Sequence, residues 1–129
     1  MLRTIAGVVG GLVAWVVVVT LINFGLRHAL PGYVAAEPIM AFTLAMLIAR
    51  LAMAAVTSIV AGIVVRAIAP GSPRAPLILG IIVLLLFLPV HIMVWANFPL
   101  WYHALFLLTI IPLVLLGARL KSVRPVPLA

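Results

Sequence analysis

The chain has 129 residues, of which 68% are hydrophobic and only 7% are charged, with eight basic residues, one acid and no cysteine. A soluble domain of this size could not cover itself with so few charged side chains, so the apolar surface is expected to face lipid. The lack of cysteine excludes disulfides, thiol catalysis and cysteine-based metal sites.

Four apolar segments are long enough to cross a bilayer. At 1.5 Å per residue, helices of roughly 18–28 residues match a hydrocarbon core of about 30 Å. We therefore predict an all-α integral membrane bundle of four transmembrane helices, forming a single domain over residues 1–129. The predicted helices cover about 4–24, 38–66, 77–95 and 102–120, and residues 121–129 form a short basic cytoplasmic tail.

The first predicted helix carries two glycines at the spacing of a helix–helix contact. Gly7 and Gly11 form a GxxxG pair, and such pairs let helix backbones approach closely, which holds helices together in lipid. We expect the pair to pack within the bundle, with a dimer face as the alternative. The helix ends near Asn23, and the long loop after it contains Glu37, the one acid of the chain.

The second predicted helix contains Arg50 inside an otherwise apolar run. On a helical wheel the arginine falls on a narrow stripe of small and polar residues, which should face the bundle interior. An intramembrane charge costs about 2.5–3.5 kcal/mol at the centre of a span, so a partner for Arg50 is expected. The other members of the stripe are Thr43, Ala54, Thr57 and Ala61.

The same helix also carries a row of small residues and a marker of depth. Ala54, Ser58 and Gly62 follow one another at intervals of four, so we expect them to pack against another helix. Arg50 precedes Arg66 by sixteen residues. A straight helix would separate the two by roughly 24 Å. If Arg66 marks the inner boundary, Arg50 lies in the outer part of the membrane.

The remaining polar side chains gather on the same outer side. His91 lies high in the third helix, Asn97 in the loop after it, and His103 at the start of the fourth helix. The loop aromatics Trp95, Trp101 and Tyr102 are typical of an interfacial belt. We predict an outer polar cluster, structural or solute-binding, that consists of Arg50, His91, Asn23, Glu37, Thr43, Thr57, Asn97 and His103.

The basic residues are distributed unevenly between the two sides. One side of the four spans carries only Arg27, and the other carries Arg3, Arg66, Arg74, Arg119, Lys121 and Arg124. Basic residues in short loops stay cytoplasmic, so both termini are predicted to lie inside. The charge thus indicates topology and contact with membrane lipids, not binding of nucleic acid.

Few of the constellations that support catalysis are available to this chain. One carboxylate gives no acid–base pair, and the chain has neither an aspartate nor a G-x-S-x-G elbow for a hydrolase triad. The three histidines lack a metal-type spacing, although His91 and His103 could together ligate a haem or pigment. We predict no enzymatic activity, no metal and no cofactor.

The two ends of the chain, MLRTIAGVVGGLVAW and PLWYHALFLLTIIPLVLLGARL, resemble small four-helix inner-membrane proteins of bacteria that have no established activity. The resemblance covers essentially the whole chain through mostly hydrophobic motifs, and it implies the four-span layout and nothing catalytic. The first helix lacks the acid of small multidrug transporters. The arginine- and asparagine-rich signature of four-helix glutathione-linked membrane enzymes is also missing.

These features favour a non-enzymatic accessory or scaffolding subunit that packs with other membrane proteins or with copies of itself. The alternative is a minimal transporter or channel, in which Arg50 and His91 form a polar constriction for an anionic or amphiphilic solute. A third possibility is a pigment- or haem-associated membrane subunit. The location expected for all three is the bacterial inner membrane.

Overall fold

The computed structural model describes residues 1–122, with side chains as far as Lys121. Within this range all regular elements are helical, and a 3₁₀ turn at Trp95–Asn97 precedes the last helix. Residues 123–129, which are most of the predicted tail, therefore lie outside the described residues. The α-helices are α1 (Leu2–Ala29), α2 (Tyr33–Ala36), α3 (Leu44–Ile68), α4 (Ala75–Met93) and α5 (Leu100–Ser122).

The four long helices, α1, α3, α4 and α5, are each apolar and long enough to cross a membrane. The shortest, α4, has 19 residues. At 1.5 Å per residue it measures about 28 Å, close to the thickness of a bilayer core. The prediction of an all-helical protein with four candidate membrane spans is confirmed.

Two helix boundaries differ from the prediction by more than two residues. Helix α3 begins at Leu44 rather than at Pro38, because Thr43 is its N-cap and accepts a hydrogen bond from the backbone N–H of Met46. The chain before this cap passes through Met40, whose φ of 54° is incompatible with a continuous helix. Helix α1 continues to Ala29, beyond the predicted end near residue 24. Arg27 and His28 in its last turn suit the negative end of the helix dipole.

The long helices form a closed ring in the order α1–α3–α5–α4, in which each packs against its two neighbours. We call the end where α1 and α4 finish and α3 and α5 begin the polar end, and the opposite end the basic end. The interior is filled by branched aliphatic side chains that are almost wholly shielded, among them Val65, Leu79, Val83, Ile110 and Val114.

Glycines set the closest approach between α3 and α5. A Cβ atom added at Gly62 would lie 2.0 Å from the carbonyl oxygen of Val114, and one added at Gly117 would lie 2.0 Å from that of Ile59. Only a hydrogen fits at either position, so the two backbones are in direct contact.

The GxxxG pair of α1 is also occupied inside the bundle. A Cβ atom added at Gly7 would meet Cβ of Ala69 at 2.8 Å, and one added at Gly11 would meet Cδ2 of Leu79 at 2.5 Å. The pair therefore faces α4 and the C-terminal end of α3, not the surface of the bundle.

Candidate functional site

Arg50 is half-buried at the polar end, where two phenols hold its guanidinium. Its Nη1 donates to the hydroxyl oxygen of Tyr33 at 2.7 Å, and its Nε donates to that of Tyr102 at 3.3 Å. The Cζ atom lies 4.6 Å from the centre of the Phe42 ring, a cation–π distance. No residue of the described range 1–122 forms a hydrogen bond with Nη2. The arginine thus has only neutral partners in direct contact.

Local backbone features bring both phenols to the arginine. Tyr33 begins the single turn of α2 directly after Gly32, whose φ of 80° favours a residue without a side chain. Tyr102 lies in the first turn of α5, where its N–H bonds to the carbonyl of Pro99. The two side chains are 0% and 2% exposed, so both are core residues. Tyr102 is therefore not part of an interfacial aromatic belt, whereas Trp95 and Trp101 are partly exposed.

A chain of hydrogen bonds leads from Arg50 to the acid of the loop. The Tyr33 hydroxyl donates to Oδ1 of Asn23 at 2.6 Å, and Nδ2 of Asn23 donates to Oε2 of Glu37 at 3.3 Å. Arg27 is the last residue of the series. Its Nε donates to Oε1 of Glu37 at 2.6 Å, and its Nη2 donates to Oε2 at 3.3 Å. Asn23 and Glu37 thus belong to the network of Arg50, but Tyr33 stands between them and the arginine.

Glu37 and Arg27 form an ion pair at the surface of this network. The hydrogen bond from Arg27 is the main reason that the pKa of the Glu37 carboxyl is lowered from its usual value, and partial burial opposes this effect. The Asn23 amide and the charge of Arg50 lower the pKa further. Both carboxylate oxygens of Glu37 therefore already accept hydrogen bonds from Arg27.

His91 and His103 form a separate buried pair. Their Nδ1 atoms are 2.7 Å apart, and Nε2 of His103 lies 3.1 Å from the carbonyl oxygen of Trp95. Because a carbonyl only accepts, Nε2 of His103 carries the proton. In the neutral ring its Nδ1 then accepts from Nδ1–H of His91. The Trp95 ring stacks on His103 at 4.4 Å. No hydrogen bond within residues 1–122 joins His91 to Arg50, with which it was grouped in the predicted polar cluster.

The histidine pair does not have the geometry of a bis-histidine metal site. Ligand nitrogens lie about 2.0–2.1 Å from a bound metal such as zinc, so two nitrogens on opposite sides are roughly 4 Å apart. The 2.7 Å between the facing nitrogens leaves no space for an ion. Within the described residues, no group of three or more His, Cys, Asp or Glu side chains could hold a metal. The haem or pigment interpretation gains no support from this pair.

Three residues of the predicted polar cluster lie elsewhere. Asn97 is exposed in the 3₁₀ turn, and Thr43 is occupied as the N-cap of α3. Thr57 is fully buried, and its hydroxyl has no hydrogen-bond partner among residues 1–122. Next to it, Ser58 accepts a hydrogen bond from Nε1 of Trp15 at 3.2 Å, which ties α3 to α1.

A cavity of about 470 Å³ opens beside Arg50 among the four long helices. Its lining changes from polar to apolar along the bundle. The polar part consists of Thr20, Asn23, Arg27, Glu37 and Arg50. The apolar part consists of Trp15, Val19, Phe24, Met53, Ala54, Phe87 and Phe106. Ala54, predicted as a packing residue, therefore borders this space, and neither histidine of the buried pair does.

Sequence reasoning missed both tyrosines as partners of Arg50. They are the only two tyrosines of the chain. The signal that could have indicated Tyr33 is its place directly after the Pro-Gly turn, which brings it back over the end of α1. Tyr102 carried no comparable signal, because a tyrosine at a helix end is usually interfacial.

Comparisons of the chain with protein-family models, with curated proteins and with solved structures give no match. The resemblance to small four-helix inner-membrane proteins stays a prediction. A functional interpretation therefore depends on the contacts and surfaces described above.

Proposed function

We propose that the protein is a non-enzymatic accessory or scaffolding subunit of the bacterial inner membrane, with four spans and both termini in the cytoplasm. Charge asymmetry supports this orientation, because basic side chains in short connections stay cytoplasmic. The described part of the basic end carries Arg3, Arg66, Arg74, Arg119 and Lys121, whereas the polar end carries Arg27.

The observation that carries the scaffolding role is an apolar ridge along the outside of α1. Its members follow one another at intervals of four and are 49–65% exposed, namely Ile5, Val9, Val13, Val17 and Leu21. Residues four apart form the ridges with which helices pack against each other. Valine and isoleucine have one preferred rotamer in a helix, so they lose little entropy when another helix covers them.

By contrast, α1 buries few residues on the side that faces the bundle. Only Gly7, Val8, Gly11 and Trp15 of its 28 residues are buried in the bundle. Helix α1 is thus attached by two glycines, Val8 and Trp15, with Leu12 and Val19 partly buried against the core. The ridge on its outer side would contact a transmembrane helix of another chain.

Cysteine-directed photo-crosslinking in native membranes tests this role, because the chain has no cysteine of its own. A benzophenone maleimide attached to Val13→Cys should give one discrete crosslinked product, either a partner or a second copy. Leu108→Cys on α5, where the native side chain is 74% exposed, is the matched control and should give none. Identical, diffuse products from both positions would contradict a specific contact along the ridge.

A second candidate function is favoured by the cavity at the polar end, which joins a charged guanidinium to an apolar space. Such a lining suits a small carrier for an anionic amphiphile. This candidate retains Arg50 but not His91, because His91 is bonded to His103 and does not border the cavity. Loss of solute flux into liposomes in Arg50→Gln, with the fold intact, would support it. Unchanged flux in Arg50→Gln would contradict the carrier function.

A further inference from the structure

The charges around the cavity do not balance. Two guanidinium groups and one carboxylate border it, and the carboxylate receives two hydrogen bonds from Arg27. Arg50 bonds directly only to phenol oxygens, which carry no formal charge at neutral pH. A charged side chain at this depth is normally paired with an opposite charge. The cavity therefore has one positive charge in excess, on the residue that lies within a candidate span.

The arrangement of Arg50 favours an anion with a planar, two-oxygen head. Guanidinium groups recognise carboxylates through parallel N–H donors in a fixed plane. The two phenols and the Phe42 ring already fix the orientation of this plane, and Nη2 has no bond to any residue in the range 1–122. A carboxylate could thus bind without first displacing another acid.

The rest of the cavity favours an apolar tail attached to that head. Below Arg50 the lining is formed by side chains such as Trp15, Phe87 and Phe106. On α1 the lining extends from Trp15 to Arg27, which are twelve residues apart. This spacing gives the cavity a length of about 18 Å along the helix. Its volume of about 470 Å³ lies within the range of roughly 300–1,000 Å³ that is typical of small-ligand sites.

Exposed side chains of α1 border the cavity. Two of them, Thr20 and Phe24, lie within the candidate span, so a ligand that is already dissolved in the bilayer could enter sideways. The exposed Arg27 borders the cavity closer to the polar end.

We infer that this cavity binds a single-chain fatty acid taken from the bilayer, with its carboxylate on Arg50 and its chain against Trp15, Phe87 and Phe106. The inference rests on the second candidate function, for which it names the ligand class. Binding does not require transport, so the two can be tested separately.

A binding measurement on the intact protein in detergent micelles tests the site without any substitution. The probes are a brominated fatty acid and the brominated alcohol of equal chain length, and the signal is quenching of tryptophan fluorescence. Trp15 borders the cavity, so a bound chain should quench it saturably. The acid should bind at least about tenfold more tightly than the alcohol, because only the acid brings a negative charge and two acceptor oxygens to Arg50. Equal affinities would overturn the inference.

Two variants then assign the preference to one side chain. Arg50→Gln should lose the preference for the acid, whereas Arg74→Gln, an exposed arginine at the basic end, should keep it. Retention of the full preference in Arg50→Gln would overturn the assignment. If that variant does not fold, the comparison of acid with alcohol on the native chain still decides whether the cavity prefers a carboxylate.

Competition with acetate separates an amphiphile site from a simple anion site. Acetate should displace the brominated acid poorly, because it lacks the apolar chain that the cavity accommodates. Displacement by acetate as effective as that by a long-chain acid would overturn the inference. Acid-selective binding without flux into liposomes would support the site and remove the carrier function, so the two failures are distinguishable.

Discussion

The contact between α3 and α5 at Gly62 allows a quantitative test of the fold. In Gly62→Ala the new Cβ would lie 2.0 Å from the oxygen of Val114 and 2.9 Å from the nitrogen of Ala118. Ordinary contacts begin at 3.4 Å, so about 1.4 Å of space (3.4 minus 2.0) is missing on the side of Val114. Both obstructing atoms belong to the backbone, and a rotamer change cannot relieve the clash. Helix α5 must move as a unit.

Two opposing terms set the size of the effect. Overpacking a well-packed interface costs about 1–3 kcal/mol. Replacing glycine by alanine inside a helix returns about 0.5–1 kcal/mol. Because a whole helix must shift, the cost should fall in the upper half of its range, which leaves a net loss of about 1–2.5 kcal/mol.

Gly25→Ala in α1 is the matched control, since a Cβ there has nothing within 4 Å. It should leave the protein at least as stable as the native chain. The assay is unfolding in mixed micelles by increasing mole fractions of SDS, followed by tryptophan fluorescence. Addition of Gly117→Ala to Gly62→Ala should cost less than it costs alone, because one separation of the helices relieves both clashes. Equal stability of Gly62→Ala and Gly25→Ala would refute the close contact of α3 with α5.

Three further measurements address the loops and the histidine pair. The pKa of Glu37 is lower in the folded protein than in the unfolded chain. Its contribution to the free energy of unfolding is therefore present above the unfolded pKa and lost as the pH falls through the folded pKa. SDS unfolding should show this acid-dependent loss in the native chain but not in Glu37→Gln, and identical pH curves would contradict the ion pair. An impermeant maleimide applied to intact cells should label Val34→Cys and not Gly71→Cys; the opposite pattern would place both termini outside. Nitrogen-15 NMR should find His91 protonated on Nδ1 and His103 on Nε2, and a bare Nε2 on His103 would contradict the deduced direction of the bond.

The membrane spans are predictable from composition because a helix that crosses lipid needs only length and apolar side chains. The start of α3 is less predictable because two signals conflict. Glu37 followed by Pro38 is typical of a helix N-terminus. The hydroxyl of Thr43, later in the chain, nevertheless accepts from the backbone N–H of Met46 and caps the helix. Met40, with its positive φ, separates the two signals, and hydropathy carries no information about such a conformation.

The sequence predicts that Arg50 needs hydrogen-bonding partners, but it does not identify them. The cost of a charge within a span indicates that Arg50 requires hydrogen bonds. Its actual partners, Tyr33 and Tyr102, are 17 and 52 residues away in sequence, and only the folded loops bring them together. The sequence suggests that His91 and His103 could act together as ligands, but their direct hydrogen bond was not predicted, for a similar reason. His91 and His103 lie on separate helices, so the rotation of each helix decides whether their rings face each other.

The use of phenols instead of a carboxylate determines what the cavity can attract. A carboxylate in contact with Arg50 would neutralise it and occupy its donors. The phenol oxygens accept hydrogen bonds yet leave the formal charge unchanged, and the ring of Phe42 adds attraction without adding a negative charge. Two residues, Tyr33 and Asn23, separate Glu37 from Arg50, so the carboxylate lowers the cost of the buried charge without cancelling it at close range. The network thus holds Arg50 in a fixed orientation and keeps its charge available, which is the condition for binding an anionic head at the apolar cavity.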